Sequence, residues 1–519
     1  MNAAEFLSIS AAVVPDRVAM ADPDDSCTYG ELQARVYRLA HAFKALQIGK
    51  GRNVGVMAVN STAFIELYHA TATVGATFVP LNYRAKPEEL TYMIDTAEVN
   101  VLFISERYVP LLQEIRSSIP GVEHVYALDF QSDDISSLHD LRDQGSDGPL
   151  FPETDDDDPS LVIYTSGTTA LPKGVVLTHK AISAFVLNTQ GPADPAGEQE
   201  INLVSVPLFH IAGATQMIGP IFSGRKLAIL PQFDPAAWLA TVEREGVTHA
   251  FVVPTMLKRL MDVDDFDSYD ISSLVNITYG AAPMPFEIVR QAIDVFDCGL
   301  MNAYGQTEAT GSMTFLGPDD HRLDGTPEEN ELKVKRLRSV GSPMPDIEIG
   351  ILGPSGDVLP AGETGEISIA GERIMREYQG RADETSDAIQ GKWLHTGDLG
   401  YLDPDNYLFI TGRLKDLIIR GGENIAPAEI EQVLEDHPAI SEAAVVGMPD
   451  VEWGETVLAI VVGTDIEASQ DDLTDFVKSH LASYKAPAKY EWVDELPRNH
   501  MGKVLKNDLR DKFVPAESN

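Results

Sequence analysis

A chain of 519 residues with 44 % hydrophobic content is too long for one core and apolar enough for several, so at least two globular domains are expected. Its 39 basic against 80 acidic residues leave a formal charge of −41, which excludes nucleic acid and anionic membrane as electrostatic partners; a polyanionic substrate would have to be held by local donors. Two cysteines, Cys27 and Cys298, give neither a metal-ligand spacing nor a disulfide framework, and the sequence shows no signal segment and no membrane-length apolar run, so a cytoplasmic location is expected.

Near the N-terminus "YGELQARVYRLAHAFKAL" has helical apolar spacing, "NVGVMAVN" reads as a strand, "STAFIELYHATATVGA" as a helix and "TFVPLNY" as a strand. This alternation predicts parallel βαβ units. The acidic, proline-bounded "PETDDDDP" (Pro152 to Pro159) is a solvated connector, and after it "SLVIY" (Ser160 to Tyr164) reads as a buried strand. The residues that follow, "TSGTTALPKG", are rich in hydroxyls and glycines and end in one fixed charge. Thr165, Ser166, Gly167, Thr168, Thr169 and Lys173 can form a phosphate cradle at the strand's carboxyl end, where open α/β sheets bind ligands. The spacing differs from the ordinary nucleotide-triphosphatase loop, since Pro172 stands at the fifth position after Gly167 and Gly174 follows Lys173. Further βα signals at "HAFVVPTMLKRL" and "LVNITYGAAPMPFEIVRQAI" carry the sheet-rich region past residue 300. From about Glu348 to Ile410 short strands with Gly and Pro turns predict a small β-rich unit. A boundary is expected within Gly412 to Asp416. Beyond it lies an α+β module with a helix near Ala428 to Leu434, strands at "SEAAVVG" and "ETVLAIVVG", and a helix carrying Leu473, Phe476, Val477 and Leu481 at core spacing.

Six further polar motifs fall at strand ends or at the boundary: "PLFHIAG" (Pro207 to Gly213), "YGAAP" (Tyr279 to Pro283), "YGQTEA" (Tyr304 to Ala309), "HTGD" (His395 to Asp398), "GRLKD" (Gly412 to Asp416) and "PRNHMGKVLK" (Pro497 to Lys506). With the phosphate loop, and in this order over nearly the whole chain, they resemble the adenylate-forming enzymes: acyl- and aryl-CoA synthetases, firefly-type luciferases and peptide-synthetase adenylation domains. The resemblance implies an α/β fold. Residues 1–412 would hold two parallel-sheet subdomains and the small β-rich one, and residues 416–519 a small mobile α+β domain joined by a hinge at 412–416. It also implies a two-step reaction, in which a carboxylate attacks the α-phosphorus of ATP and a thiol then takes the acyl group and releases AMP.

An anion attacking a polyphosphate requires magnesium and at least one cation to neutralise the charge that builds on the α-phosphate. By resemblance Glu308 is the magnesium ligand and Lys503 the catalytic lysine, with Thr165 and His210 beside them. The nucleotide site would take in the phosphate loop, Lys173, Gly280, Ala281, Ala282, Pro283, Asn302, Ala303, Tyr304, Gly305, Gln306 and Thr307. Asp398 would accept from the ribose hydroxyls and Arg413 donate to ribose or phosphate. Lys415 matches the hinge position, so Lys415→Pro would trap one orientation.

His210 stands at the aromatic position that gates the acyl pocket in the family's CoA ligases; the Asp that peptide-synthetase domains carry there is absent, which favours an unaminated acid. The turn Arg420, Gly421, Gly422, Glu423 resembles the wall of a pantetheine channel, so CoA is the expected acceptor. The acyl wall would include His210, Thr278, Tyr279, Gly280, Ala303 and Gly305, whose small residues favour a medium or long fatty acid and leave aryl and short branched or thioether acids open. A luciferase-like oxygenase and a silent nucleotide-binding protein stay as alternatives, and a homodimer is implied by resemblance. Most relatives have glycine where this chain has Ala170, and if that position needs positive φ, alanine costs about 1 kcal/mol. Loop closure should then be slow, and Ala170→Gly should speed pyrophosphate release; unchanged release and ATP affinity would overturn this.

Overall fold

The computed structural model describes residues 1–165, 171–499 and 502–514. Helix Tyr29–Ala45 shows how local sequence sets the framework. Thr28 caps it by accepting from the Glu31 amide at 3.2 Å, while the Glu31 carboxylate accepts from the Thr28 amide at 2.8 Å. Its buried stripe, Leu32, Val36, Leu39, Ala40 and Phe43, follows helical periodicity into a core shared with Val54, Val56 and Phe78 of neighbouring strands. The next helix, Thr62–Thr73, is buried on almost every side and lies in the same core.

The first sheet has seven strands. Parallel strands Asn53–Met57, Thr77–Pro80, Val101–Ile104, His124–Ala127 and Pro159–Thr165 confirm the expected βαβ alternation. At its edge the chain departs from that pattern. Pro159–Thr165 and Lys173–Thr178 form an antiparallel hairpin, so the phosphate-loop motif joins two strands. The short strand Glu377–Tyr378 then pairs with Lys173–Thr178.

The second sheet has nine strands and a parallel middle from Val18–Ala21 through Lys226–Ile229, Ile201–Val204, His249–Val252 and Asn276–Gly280 to Gly299–Gln306. Residues Val18 to Thr28 thus belong to this sheet, although the chain then leaves to build the first. Two glycines set its closest approaches. A Cβ on Gly280 would lie 2.2 Å from the Ala303 carbonyl oxygen, and one on Gly305 only 1.9 Å from that of Gly311.

A five-stranded antiparallel sheet forms the β-rich unit, with Glu348–Leu352, Gly365–Ala370, Trp393–Leu402 and Leu408–Arg413 as its main strands. The last sheet pairs Ile440–Asp450 with Gly454–Gly463 along their length and adds Lys489–Trp492 in parallel. Helices Pro427–Glu435 and Gln470–His480 cover one face through Ile430, Leu434, Leu473 and Val477. The fold is therefore mixed α/β, with parallel-sheet N-terminal subdomains and a C-terminal α+β unit. Among the described residues no helix is long and apolar enough to cross a membrane.

Burial gives this core a pH dependence. It lowers the imidazoles of His69 and His179 to about 4, so both are neutral in the folded protein, whereas an unfolded chain takes up those protons near 6.5. The stability they allow is complete above pH 6.5 and is lost as pH falls toward 4, by up to about 3 kcal/mol for each. Thermal denaturation between pH 7.5 and 4.5 should show a midpoint falling with pH, and His69→Leu should make that fall shallower. Parallel slopes for the two proteins would refute the assignment.

Candidate active site

The carboxylate of Asp398 is 4 % exposed and is held from two sides. Tyr304 donates its hydroxyl to one oxygen at 2.8 Å, and Arg413, its cross-strand partner, places Nε 2.7 Å from the other. Below them the His-Thr-Gly-Asp turn is fixed by Glu366. That carboxylate accepts from the Gly397 amide at 3.1 Å and pairs with His395 at 2.7 Å, and Gly397 takes the positive φ of 71° that the turn requires.

Lys503 comes to the same place from the C-terminal unit. Burial, aided by the nearby charges of Arg413 and Lys415, lowers its ammonium to about 8, and Asp398 and Asp416 oppose that shift. Its loop is stiff. The Lys503 amide donates to Asn499 Oδ1 at 3.0 Å, the Lys503 carbonyl accepts from the Asn499 amide at 2.9 Å, and Arg498 reaches the Gly502 carbonyl at 2.7 Å while bound to Glu442 at 2.8 Å. Gly502, at φ +77°, lies so close to Thr255 of the N-terminal part that a Cβ would meet its hydroxyl at 2.9 Å. Lys415, expected as the hinge, is an exposed residue of the short turn Leu414–Asp416 between the two units, its ammonium lowered by partial desolvation and by the charge of Arg413.

Glu308 lies in the short turn Thr307–Ala309 and accepts from the Tyr378 hydroxyl at 2.9 Å. The Tyr378 ring has Lys173 Nζ 4.8 Å from its centre, and Lys173 also pairs with Glu384 at 2.5 Å. Arg381 joins Glu384 at 2.7 Å and donates to the Pro172 carbonyl at 3.4 Å. One cluster thus links Glu308 to the second leg of the phosphate loop. Thr165 sits opposite Lys173 on the first leg; Ser166, Gly167, Thr168, Thr169 and Ala170 lie outside the described residues. Among the described residues no group of three or more His, Cys, Asp or Glu side chains forms a metal cage. A single carboxylate suits magnesium all the same, because that ion keeps most of its water and takes phosphate oxygens as further ligands.

The strand ends complete this face. Ala281 has a left-handed φ of 67°, an uncommon conformation for a residue with a Cβ, in the stretch Gly280, Ala281, Ala282, Pro283. Asn302, Gly305 and Gln306 are half-buried on the neighbouring strand, while Ala303 and Thr307 are buried. His210 caps the helix Ile211–Phe222 by accepting from the Ala212 amide at 3.3 Å. One expected acyl-wall residue does not contribute its side chain there. Tyr279 is fully buried with Ile277, Val289 and Leu300, and its hydroxyl meets His321 at 2.8 Å on the opposite face of the strand from Thr278. The Arg420 to Glu423 turn is a tight exposed hairpin, with Gly421 and Gly422 at φ +60° and +88°, and Arg420 bonds the Tyr484 carbonyl and lies over Trp453 within its own unit.

Sequence reading missed Tyr378, Glu384, Arg381, Glu366 and Arg498. Their partners are brought in by tertiary pairing, and the strand Glu377–Tyr378 gave no periodic signal because it is two residues long.

Residues 7–379 match the family described as AMP-binding enzyme, and residues 429–503 its C-terminal domain. A fatty acid–acyl-carrier-protein ligase from Streptomyces coeruleorubidus is 34 % identical over 94 % of this chain and 91 % of its own. A feruloyl-CoA synthase from an Amycolatopsis species is 33 % identical over 97 % of both chains. Among solved structures, a fatty acyl CoA synthetase of Mycobacterium tuberculosis is similar at a TM-score of 0.80, with 31 % identity and 99 % of each chain covered. The chain belongs to the AMP-binding enzyme family and is an AMP-forming, ATP-dependent ligase.

Proposed function

We propose that the protein is an acyl-CoA synthetase, which joins a carboxylic acid to ATP as an acyl-adenylate with loss of pyrophosphate and then passes the acyl group to the thiol of CoA with loss of AMP. The observation that carries this reading is the half-buried ammonium of Lys503 among Asp398, Arg413 and Lys415. In the first step a substrate carboxylate oxygen forms a bond to the α-phosphorus as the bond to the bridging oxygen of pyrophosphate breaks. Lys503 would bridge the two anions; about 4 Å from the phosphate at an effective dielectric near 20, its charge is worth roughly 4 kcal/mol, on the order of a thousandfold in rate. Asp398 would bind the ribose hydroxyls, with Arg413 alongside, and Tyr304 would offer its ring to adenine. Magnesium, held by Glu308, would supply charge neutralisation at the phosphates. Lys173 would leave Glu384 for the β- and γ-phosphates.

In the second step the thiolate attacks the acyl carbon and AMP leaves with the electron pair. The exposed Arg420 to Glu423 turn would face the N-terminal part after the C-terminal unit turns about Lys415, carrying Lys503 away. The 416–519 unit acts in this reading as the mobile domain. CoA is favoured as acceptor over a carrier protein by the similarity of this turn to the CoA-ligase pattern. For the acid, the small residues around Gly280 and Gly305 support a medium or long fatty chain, and the feruloyl-CoA relative supports an aryl acid equally.

ATP–pyrophosphate exchange and AMP release across fatty, aryl, branched and thioether acids test the reading, because a silent binding protein would give no exchange. Lys503→Ala should lower adenylation at least about a thousandfold while affecting thioester formation from a supplied acyl-adenylate far less. Since the lysine must be protonated, kcat/KM for adenylation should fall above pH 8, and Lys503→Arg should lack that limb in whatever activity it keeps. An unchanged limb would remove Lys503 from the role. Glu384→Gln should lower the KM for ATP by about two- to fivefold, because a carboxylate competing for Lys173 is removed; a raised KM would mean that Glu384 supports the bound state.

A further inference from the structure

Asp436 stands exposed at the C-cap of helix Pro427–Glu435, where the helix dipole disfavours a carboxylate. Glu429, Glu431 and Glu435 precede it on the same helix, and no basic residue lies in the last turn. The cation that answers this charge comes from the other side of the domain boundary. Arg338 Nη2 lies 3.0 and 3.4 Å from the two Asp436 oxygens, and its guanidinium is held over the Phe286 ring, 4.5 Å from the centre. Among the described residues this is the one ion pair between residues 1–412 and residues 416–519. The segment that carries Arg338 is firmly fixed. Its amide donates to the Lys335 carbonyl at 3.1 Å; the Val340 amide donates to the Leu408 carbonyl, and the Leu408 amide to the Gly341 carbonyl, each at 2.8 Å. Arg338 is thus fastened to the strand Leu408–Arg413, which runs into the turn Leu414–Asp416.

On the other side, the same helix is joined to the loop of Lys503. Glu431 accepts from Lys506 Nζ at 2.7 Å and from the Val445 amide at 2.7 Å, and Lys506 follows Lys503 by three residues. The helix begins against the boundary itself, since a Cβ on Gly412 would lie 3.3 Å from that of Ala426, its N-cap. It therefore reaches from the boundary to Asp436 over ten residues, about 15 Å at 1.5 Å per residue. A turn of about 20° across the helix axis would carry Asp436 about 5 Å, out of reach of Arg338, so the pair resists such a turn at the far end of that arm. An exposed ion pair contributes little to the stability of a fold. A balance between two orientations is moved by the same small amount in full, and here that is about two- to fivefold in their ratio.

Resting on the acyl-CoA synthetase reading and its turning C-terminal unit, we infer that Arg338 and Asp436 are positioning residues for Lys503: their ion pair holds the helix Pro427–Glu435, and with it the lysine loop, in the orientation that serves adenylation, and it breaks before the thiol step. The test measures the two half-reactions apart in the wild type, in Asp436→Ala, in Arg338→Gln and in the charge-swapped pair Arg338→Glu with Asp436→Arg. ATP–pyrophosphate exchange with dodecanoate, cinnamate and 2-methylbutanoate reads adenylation. Thioester formation from CoA and the synthetic adenylate of the best of these acids reads the second step. The ratio of the first rate to the second should fall about two- to fivefold in each single variant and return toward the wild-type value in the swapped pair. Asp436→Ala removes a carboxylate that the helix end disfavours, so the helix itself is not weakened, and a generally loosened fold would lower both rates and leave their ratio in place. An unchanged or raised ratio in the single variants, or a swapped pair that keeps their lowered ratio, would overturn the inference and leave adenylation standing. No exchange with any acid would overturn the adenylation reading and the inference with it.

Discussion

The Asp398 carboxylate is the point at which three parts of the molecule meet. Tyr304 approaches from the nine-stranded sheet, Arg413 from the antiparallel one, and Lys503 from the C-terminal unit enters the same field. A buried carboxylate without partners would be costly, and breaking one of its contacts would leave a charge in low dielectric. The need to keep Asp398 satisfied therefore fixes the relative placement of strands Gly299–Gln306, Trp393–Leu402 and Leu408–Arg413. Glu366 extends the constraint downward by holding the turn that presents Asp398, so the acceptor is rigid before any ligand arrives.

A second set of contacts makes the first sheet answer to the same centre. The strand Glu377–Tyr378 is sequence-adjacent to the antiparallel sheet but pairs with Lys173–Thr178 of the seven-stranded one. Tyr378 then reaches Glu308 of the nine-stranded sheet. Arg373, fully buried, ties the same segment down through Asp346 and the Ser312 carbonyl, while its own carbonyl accepts from Thr310, a residue in left-handed conformation just after Glu308. The phosphate-loop leg, the Glu308 turn and the strand that leads to Asp398 are in this way one mechanical unit. Loss of the Arg373 and Asp346 pair would be felt at Glu308, which neither residue touches.

Much of this was legible in the chain. The alternation of helical and strand patterns near the N-terminus and the seven polar motifs located the framework and most of the groups around Asp398. The misses have physical causes. Val18–Ala21 joins the second sheet because its partner Lys226–Ile229 is supplied some 200 residues later, and no local signal carries that. The hairpin at Lys173 was hidden because a β-branched run states strand and not direction. Tyr279 was expected in the acyl wall together with Thr278, although the two-residue period sets adjacent strand residues on opposite faces. Tyr378 and Glu308 are 70 residues apart, and Glu366 and His395 are 29 apart, so only the folded sheet edges reveal those pairs.

Charge gives the last step. In a chain with 80 acidic residues, Arg413, Lys415 and Lys503 stand close enough that each cation disfavours the next, and the Lys503 ammonium is held near 8 as a result of burial and of that crowding. Such a cluster is unfavourable by itself and is offset only in part by Asp398 and Asp416. A polyphosphate placed among these groups would reverse the balance at once, since every pair that repels in the free protein would gain an anion to share. The acidic surface works in the opposite sense: it disfavours the approach of ATP and favours the departure of pyrophosphate at long range, where salt screens it beyond about 8 Å. Affinity for the nucleotide must then come from the short-range cluster, and the cluster exists only while the C-terminal unit keeps Lys503 beside Asp398. On the proposed reading, withdrawal of Lys503 with the C-terminal unit would weaken the hold on pyrophosphate and remove the cation from the acyl carbon in the same movement, and would so couple release of the first product to readiness for the thiol.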